Sequence, residues 1–341
     1  MINPYQDLPE TAFWRNAVAN QPPLSVDGLY TPRFRIEQRA KVFTAGSCFA
    51  QHVGRTLRAN GFSVLDAEPA PKAVSDLTAQ RFGYRMYSAR YGNIYTMRQM
   101  LQLVREATGD FTPAVPVWRT GDAFFDSQRP GIEPDGLATA ADVLSHRARH
   151  LALVRRALDV ADVFVFTLGL TEGWVHRQTG DVYPMAPGTL AGEFDPEIYE
   201  FKNFTVDEVF RDFARFRRRV RQIRPAARFV LTVSPVPLTA TASGQHVQLA
   251  STYSKAVLRA AAGMAYDSFR DVDYFPAYEI ITSPTNHGVY FAANKRSVTP
   301  QGVAAAMDAF VGAHLPDQTR QRRKAAPTHD AQCEESLLEA F

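Results

Sequence analysis

The feature that most limits the fold is the run Asp162-Val-Phe-Val-Phe-Thr-Leu168, apolar or β-branched at nearly every position and without helical spacing. A strand apolar on both faces has to be covered on both faces, which points to a parallel sheet enclosed between layers of helix. Lys41 to Thr44 and Arg228 to Val233 read the same way. A fourth strand is predicted over Val272 to Ile281, where Pro276 marks an edge, bend or bulge, and a fifth over Phe62 to Leu65.

The segments between these strands carry apolar residues at helical intervals. Phe49, Val53 and Leu57 form one stripe, Val143, Leu151, Val154 and Leu158 a second, and Val206, Phe210, Phe213, Phe216 and Val220 a third. A fourth helix is predicted from about Val247 to Ala265 and a fifth from Thr299, with Thr299 as N-cap and Pro300 in the first helical position. Strands alternating with helices predict an α/β protein with a mostly parallel sheet. Three stretches interrupt the alternation as loop insertions: Ala67 to Arg98, Thr112 to Gly136, and Gly180 to Lys202. Loops at strand ends commonly shape a binding site. Residues 1–315 are expected to form one domain, and 316–341 a flexible tail.

Composition closes several alternatives. No run reaches the roughly 18 apolar residues of a membrane helix, so no membrane span is expected. Only Cys48 and Cys333 are present, too few for a disulfide framework or a thiolate zinc site, and the amino terminus lacks a secretory pattern. A cytoplasmic location is the expectation. The densest basic run, Arg215 to Arg224, alternates with Phe216, Val220 and Ile223, as the solvated face of an amphipathic helix does. With the aromatic residues at core-facing intervals, no nucleic-acid partner is expected. There is no Gly-rich phosphate loop, dinucleotide fingerprint or His-Glu-x-x-His motif, so neither cofactor nor metal is expected.

The chemistry-bearing candidate is Ser47. The strand from Lys41 runs into Ala45-Gly46-Ser47-Cys48-Phe49-Ala50, and helical spacing begins at once. A serine in a strand-to-helix turn lies at the carboxyl edge of a parallel sheet, where ligands bind, and the helix N-terminus favours developing negative charge. Gly46 permits the tight turn. On spacing alone Ser47 reads equally as a nucleophile or as a helix cap.

The string Gly46-Ser47-Cys48-Phe49-Ala50 resembles the signature of the GSCFA family. Further matching pieces are Asn3-Pro4-Tyr5-Gln6, Tyr91-Gly92-Asn93-Ile94-Tyr95, Thr167-Leu168-Gly169-Leu170-Thr171-Glu172, Ser234-Pro235-Val236, Tyr253-Ser254-Lys255 and Tyr274-Phe275-Pro276-Ala277-Tyr278-Glu279. That family resembles the SGNH or GDSL hydrolases. The resemblance implies a flavodoxin-like three-layer α/β/α sandwich with Ser47 as nucleophile of an esterase or acyltransferase. Gly92, Asn93 and the Ser47 amide would hold the oxyanion, with Thr171 standing where the asparagine of SGNH enzymes is expected. An O-acylated carbohydrate is the substrate class implied.

Such enzymes carry their histidine base in an Asp-x-x-His near the domain end, and many GSCFA sequences have His-Pro before the last helix. This chain reads Asn294-Lys295-Arg296-Ser297-Val298-Thr299-Pro300, with Thr299 in the histidine's place. A serine hydroxyl needs a hydrogen-bonded base. His246 and His287 both fall in predicted loops after late strands and are the candidate bases, with Glu172 a candidate acidic partner. The alternative is a carbohydrate-binding or assembly protein that retains the scaffold without catalysis.

Overall fold

A computed structural model describes residues 3–315 together with Glu334, Glu335 and Leu338. The central sheet consists of β1 (Val42–Gly46), which is followed by α1 (Ala50–Ala59), α2 (Asp76–Arg81) and α3 (Met97–Ala107) before the chain reaches an antiparallel hairpin, β2 (Val117–Thr120) and β3 (Ala123–Asp126). Helix α4 (Ala140–Val160) returns the chain to the sheet as β4 (Val163–Leu168). A second small sheet follows, β5 (Glu172–His176), β6 (Val182–Tyr183) and β7 (Tyr199–Asn203), in the spatial order β6-β5-β7. Then come α5 (Val206–Ile223), β8 (Arg228–Val233), α6 (Val247–Ser268), β9 (Val272–Phe275), α7 (Ala277–Thr282) and α8 (Pro300–His314).

The central sheet has the order β1-β4-β8-β9, with all three pairings parallel. Beyond β1 the chain makes one parallel bridge, Val42 to Val64. The predicted strand at Phe62 to Leu65 is therefore a single bridge, bonded through the Val42 amide and carbonyl at 2.9 Å each. Counting that bridge, the order in sequence is 2-1-3-4-5.

Side chains alternate across the sheet, and each set has its own helical cover. Phe43, Phe164, Phe166, Phe229 and Leu231 pack with α4, α5 and α6 residues such as Leu158, Phe216 and Leu258. Val42, Val163, Val165 and Val230 pack on the other face with Val53 and Leu57 of α1 and Phe310 of α8. These are helices on both sides of a parallel sheet, as the continuous apolar strands require. Removing a Phe or Val side chain from water contributes about 1.5–3 kcal/mol, and these two clusters supply most of the driving force.

Two expectations are corrected. The strand predicted to reach Ile281 ends at Phe275, because Pro276 has no N–H for the ladder and stands instead at the N-cap of α7. The stretch Gly180 to Lys202 is not a plain loop but supplies β6 and part of β7. Helix α3, which is not among the predicted helices, carries Met97, Met100, Leu101 and Val104 at helical spacing and buries Gln99 and Gln102 as well; Gln102 is satisfied by the backbone of Val182 on both sides.

The basic run lies on α5 as predicted, with Phe213, Phe216 and Val220 buried beneath it. Its guanidinium groups are matched by carboxylates: Arg217 with Asp271 at 2.6 Å, Arg221 with Asp271 at 3.4 Å, and Arg224 with Asp162 at 2.6 Å. Among the described residues no helix is long and apolar enough to cross a membrane. The predicted tail, 316–341, lies outside the described residues except for Glu334, Glu335 and Leu338.

Candidate functional site

Strand β1 ends in Gly46 at φ +141°, a backbone state that side chains disfavour. A Cβ there would come to 2.8 Å from the Thr167 amide nitrogen and overlap its carbonyl oxygen, so only glycine lets β1 lie this close to β4 at their carboxyl ends. The chain then turns, and α1 begins at Ala50. Ser47 emerges from this turn, 3% exposed, with Oγ buried and without a hydrogen-bond partner among the described residues. Ser47 is therefore not the cap of α1, whose N-cap position belongs to Phe49 and whose first turn has no side-chain cap.

Ser47 lines a narrow recess at the carboxyl end of the sheet, with about 10 Å³ open to a water-sized sphere. The other walls come from five places: Cys48 of the same turn; Tyr95 before α3; Gly169 and Leu170 after β4; Ser234 and Val236–Leu238 after β8; and Lys255 of α6. Glu335 also lines it. Gly169 is pressed against the Ser47 turn, since a Cβ there would lie 2.9 Å from Ser47 Cβ and 3.0 Å from the Tyr95 carbonyl oxygen.

Lys255 is 4% exposed and donates from Nζ to the Gly169 carbonyl oxygen at 2.6 Å. Lysine is rarely buried without polar partners, so its presence beside a buried hydroxyl is a constraint that packing alone does not explain. Its signal in the sequence is helical phase. Ser251, Lys255, Leu258 and Ala262 share the buried stripe of α6, where a lysine breaks the apolar pattern.

The candidate oxyanion donors are Gly92, Asn93 and the Ser47 amide. The Tyr87 hydroxyl bridges the Ser47 carbonyl oxygen at 3.0 Å and the Asn93 side-chain oxygen at 2.5 Å, so Asn93 is tied to the Ser47 turn through one tyrosine. Burial, with the neighbouring Cys48 thiol adding, pushes the Tyr87 phenol well above its usual range, so it stays protonated as a donor. Gly92 precedes Asn93 at φ +70° and serves the turn. The Ser47 amide is a correction: it donates to the Thr167 carbonyl oxygen at 3.2 Å, since the Gly46 turn carries it back onto β4, and it is not available to an oxyanion.

Thr171 is fully buried with Oγ1 unpartnered among the described residues, while its amide donates to Ser254 Oγ at 3.0 Å. Glu172 accepts from Thr241 Oγ1 at 2.7 Å and so anchors the loop after β8 that forms one wall of the recess. Burial raises its carboxyl, with the Thr241 bond opposing. Glu172 makes no hydrogen bond to either candidate histidine.

The two candidate bases stand apart from Ser47. His246 is exposed at the N-cap of α6, where Nδ1 accepts from the Gln248 amide at 3.2 Å. His287 is exposed in the left-handed region at φ +50°, closing the short turn Pro284–Asn286. Neither bonds the Ser47 hydroxyl, which has no partner among the described residues. Thr299, in the place of the family histidine, caps α8 by accepting from the Gly302 amide at 3.2 Å. Among the described residues no group of three or more His, Cys, Asp or Glu side chains could hold a metal ion.

No curated protein matches the chain. A family model does: the GSCFA family, matched over residues 41–310, from the strand that delivers Ser47 to the last helix. With most of its length matched, and with Gly46 to Ala50 forming the turn at the head of the recess, this chain belongs to the GSCFA family.

Proposed function

We propose that the protein is a serine-dependent esterase or acyltransferase acting on an acyl ester, on a scaffold related to the SGNH hydrolases. The observation that carries this reading is the Ser47 hydroxyl, buried without a partner and facing a polar recess at the carboxyl end of a parallel sheet. A buried hydroxyl left unpaired costs about 1–3 kcal/mol, a cost expected where an incoming ligand supplies the missing bond. The flavodoxin-like 2-1-3-4-5 order, with the serine after its first strand, supports the scaffold relation.

Lys255, in its amine form, is the proton acceptor in this reading, a serine–lysine pair in place of serine–histidine. Ser47 Oγ attacks the carbonyl carbon as its proton passes to Lys255 Nζ. The tetrahedral oxyanion collapses, the ester C–O bond breaks, and the departing alkoxide takes the proton back from Lys255. Water or an acceptor alcohol then releases the acyl group from Ser47 by the reverse sequence. In this reading Asn93, held by Tyr87, donates to the oxyanion. An O-acylated carbohydrate is the first substrate class to test, by analogy within the family.

A second reading, a carbohydrate-binding or assembly protein without catalysis, is favoured by one observation: the Ser47 amide is consumed by Thr167. A fluorophosphonate probe separates the two. Labelling of the wild-type chain, abolished in Ser47→Ala and at least 100-fold slower in Lys255→Met, is the expected result. A folded wild-type chain that binds sugar but takes no probe supports the second reading.

A further inference from the structure

Of two consecutive acidic residues, Glu334 and Glu335, the second lies in the wall of the Ser47 recess and the first beside the neighbouring loops. Glu335 lines the recess beside Ser47, Cys48 and Lys255, and its Oε2 is 3.3 Å from the Arg296 guanidinium. Both partners are largely removed from solvent, with 12% of the Arg296 and 16% of the Glu335 side chain exposed. Glu334 reaches the neighbouring loops: its Oε1 is 3.5 Å from where a Gly92 Cβ would stand and would overlap a Cβ on Gly131. The Glu334 charge is also close enough to oppose ionisation of Tyr87, the phenol that ties Asn93 to Ser47, adding to the effect of burial. One dipeptide thus contacts the nucleophile recess, the oxyanion loop and the loop before α8.

Ligand pockets commonly enclose about 300–1,000 Å³. With Glu335 as part of its wall, the recess offers a water-sized sphere only about 10 Å³, far below that range.

We propose that the Glu334–Glu335 segment closes the Ser47 recess in cis, with Glu335 latched to Arg296 and Glu334 seated against the Gly92 loop. Its regulatory meaning rests on the reading of the recess as a reaction site; the closure itself does not. A substrate enters only when this segment leaves.

The test uses the full chain with Cys333→Ser, so that Cys48, buried in the wall of the recess, is the one thiol present. Native-state alkylation of Cys48 by iodoacetamide is followed by mass spectrometry. Glu335→Lys and Arg296→Glu are each expected to speed alkylation at least tenfold, and the combined swap, which restores an opposite-charge pair, to slow it again. Equal rates in the parent and both single variants overturn the proposal. So does a swapped chain as fast as the singles, because loss of fold would not be repaired by reversing both charges. Fluorophosphonate labelling of Ser47 in the same chains separates this from the catalytic reading. Faster Cys48 alkylation with no Ser47 labelling leaves the closure standing and removes the esterase.

Discussion

At the residue scale, Gly46 and Lys255 show how differently a site announces itself. The need for glycine before Ser47 follows from a strand turning directly into a helix, and the structure adds that the Thr167 backbone fills the space a side chain would take. Gly46→Ala is expected to cost more than about 3 kcal/mol in urea unfolding, since strain and backbone overlap act together. Gly28 is also left-handed, at φ +72°, but has open space around it. Gly28→Ala is expected to cost about 1 kcal/mol. Equal costs for the two would show that the β1–β4 approach yields easily. Lys255 was legible only as part of a matching string, because knowing that it faces Gly169 requires the phase of α6 and the seat of that helix on β8 and β9. His246 illustrates the converse: a loop histidine after a late strand has the right address, yet its ring caps its own helix.

At the element scale, α5 shows a charge pattern resolved by its surroundings. Its arginines are spaced as a solvated face, but which of them matter depends on an aspartate about 50 positions later. Asp271 receives Arg217 through both carboxylate oxygens and Arg221 as well, fastening α5 to the turn between α6 and β9. With these side chains partly buried, Asp271→Asn is expected to cost about 1–2 kcal/mol, and less in high salt. Arg218→Gln, on an exposed position of the same helix, is expected to stay within about 0.5 kcal/mol. Thermal unfolding of both variants at low and high ionic strength checks the pair; equal effects would mean the contact to Asp271 is of no consequence. The start of α8 was fully readable, because Thr299 and Pro300 act through local backbone geometry.

At the scale of the whole molecule, two buried histidines couple the fold to pH. Burial, with Arg129 adding, brings His150 down to about 4, although its Nδ1 hydrogen bonds Glu68 at 2.7 Å. Burial likewise brings His314 down to about 4, where Nδ1 accepts from the Ile36 amide. Both are neutral in the folded chain at pH 7, and both take up a proton near 6.5 when unfolded. The unfolded state therefore gains protons first as pH falls. Stability is full above about pH 6.5 and declines toward pH 4, by about 2 kcal/mol for each histidine at pH 5. Urea midpoints at pH 7 and pH 5 for wild type and for His150→Gln measure this, and a His150→Gln chain with undiminished pH dependence would contradict it for that site. The sequence by itself determined the layered α/β plan, because strands apolar on both faces and helices apolar on one leave no other way to remove both from water. It also determined the place of Ser47, since the carboxyl edge of a parallel strand follows from chain direction. What surrounds that hydroxyl was decided by tertiary structure alone. Lys255, Tyr87, Arg296 and Glu335 converge from separate elements, and the distances that make them neighbours exist only after the sheet has brought those elements together.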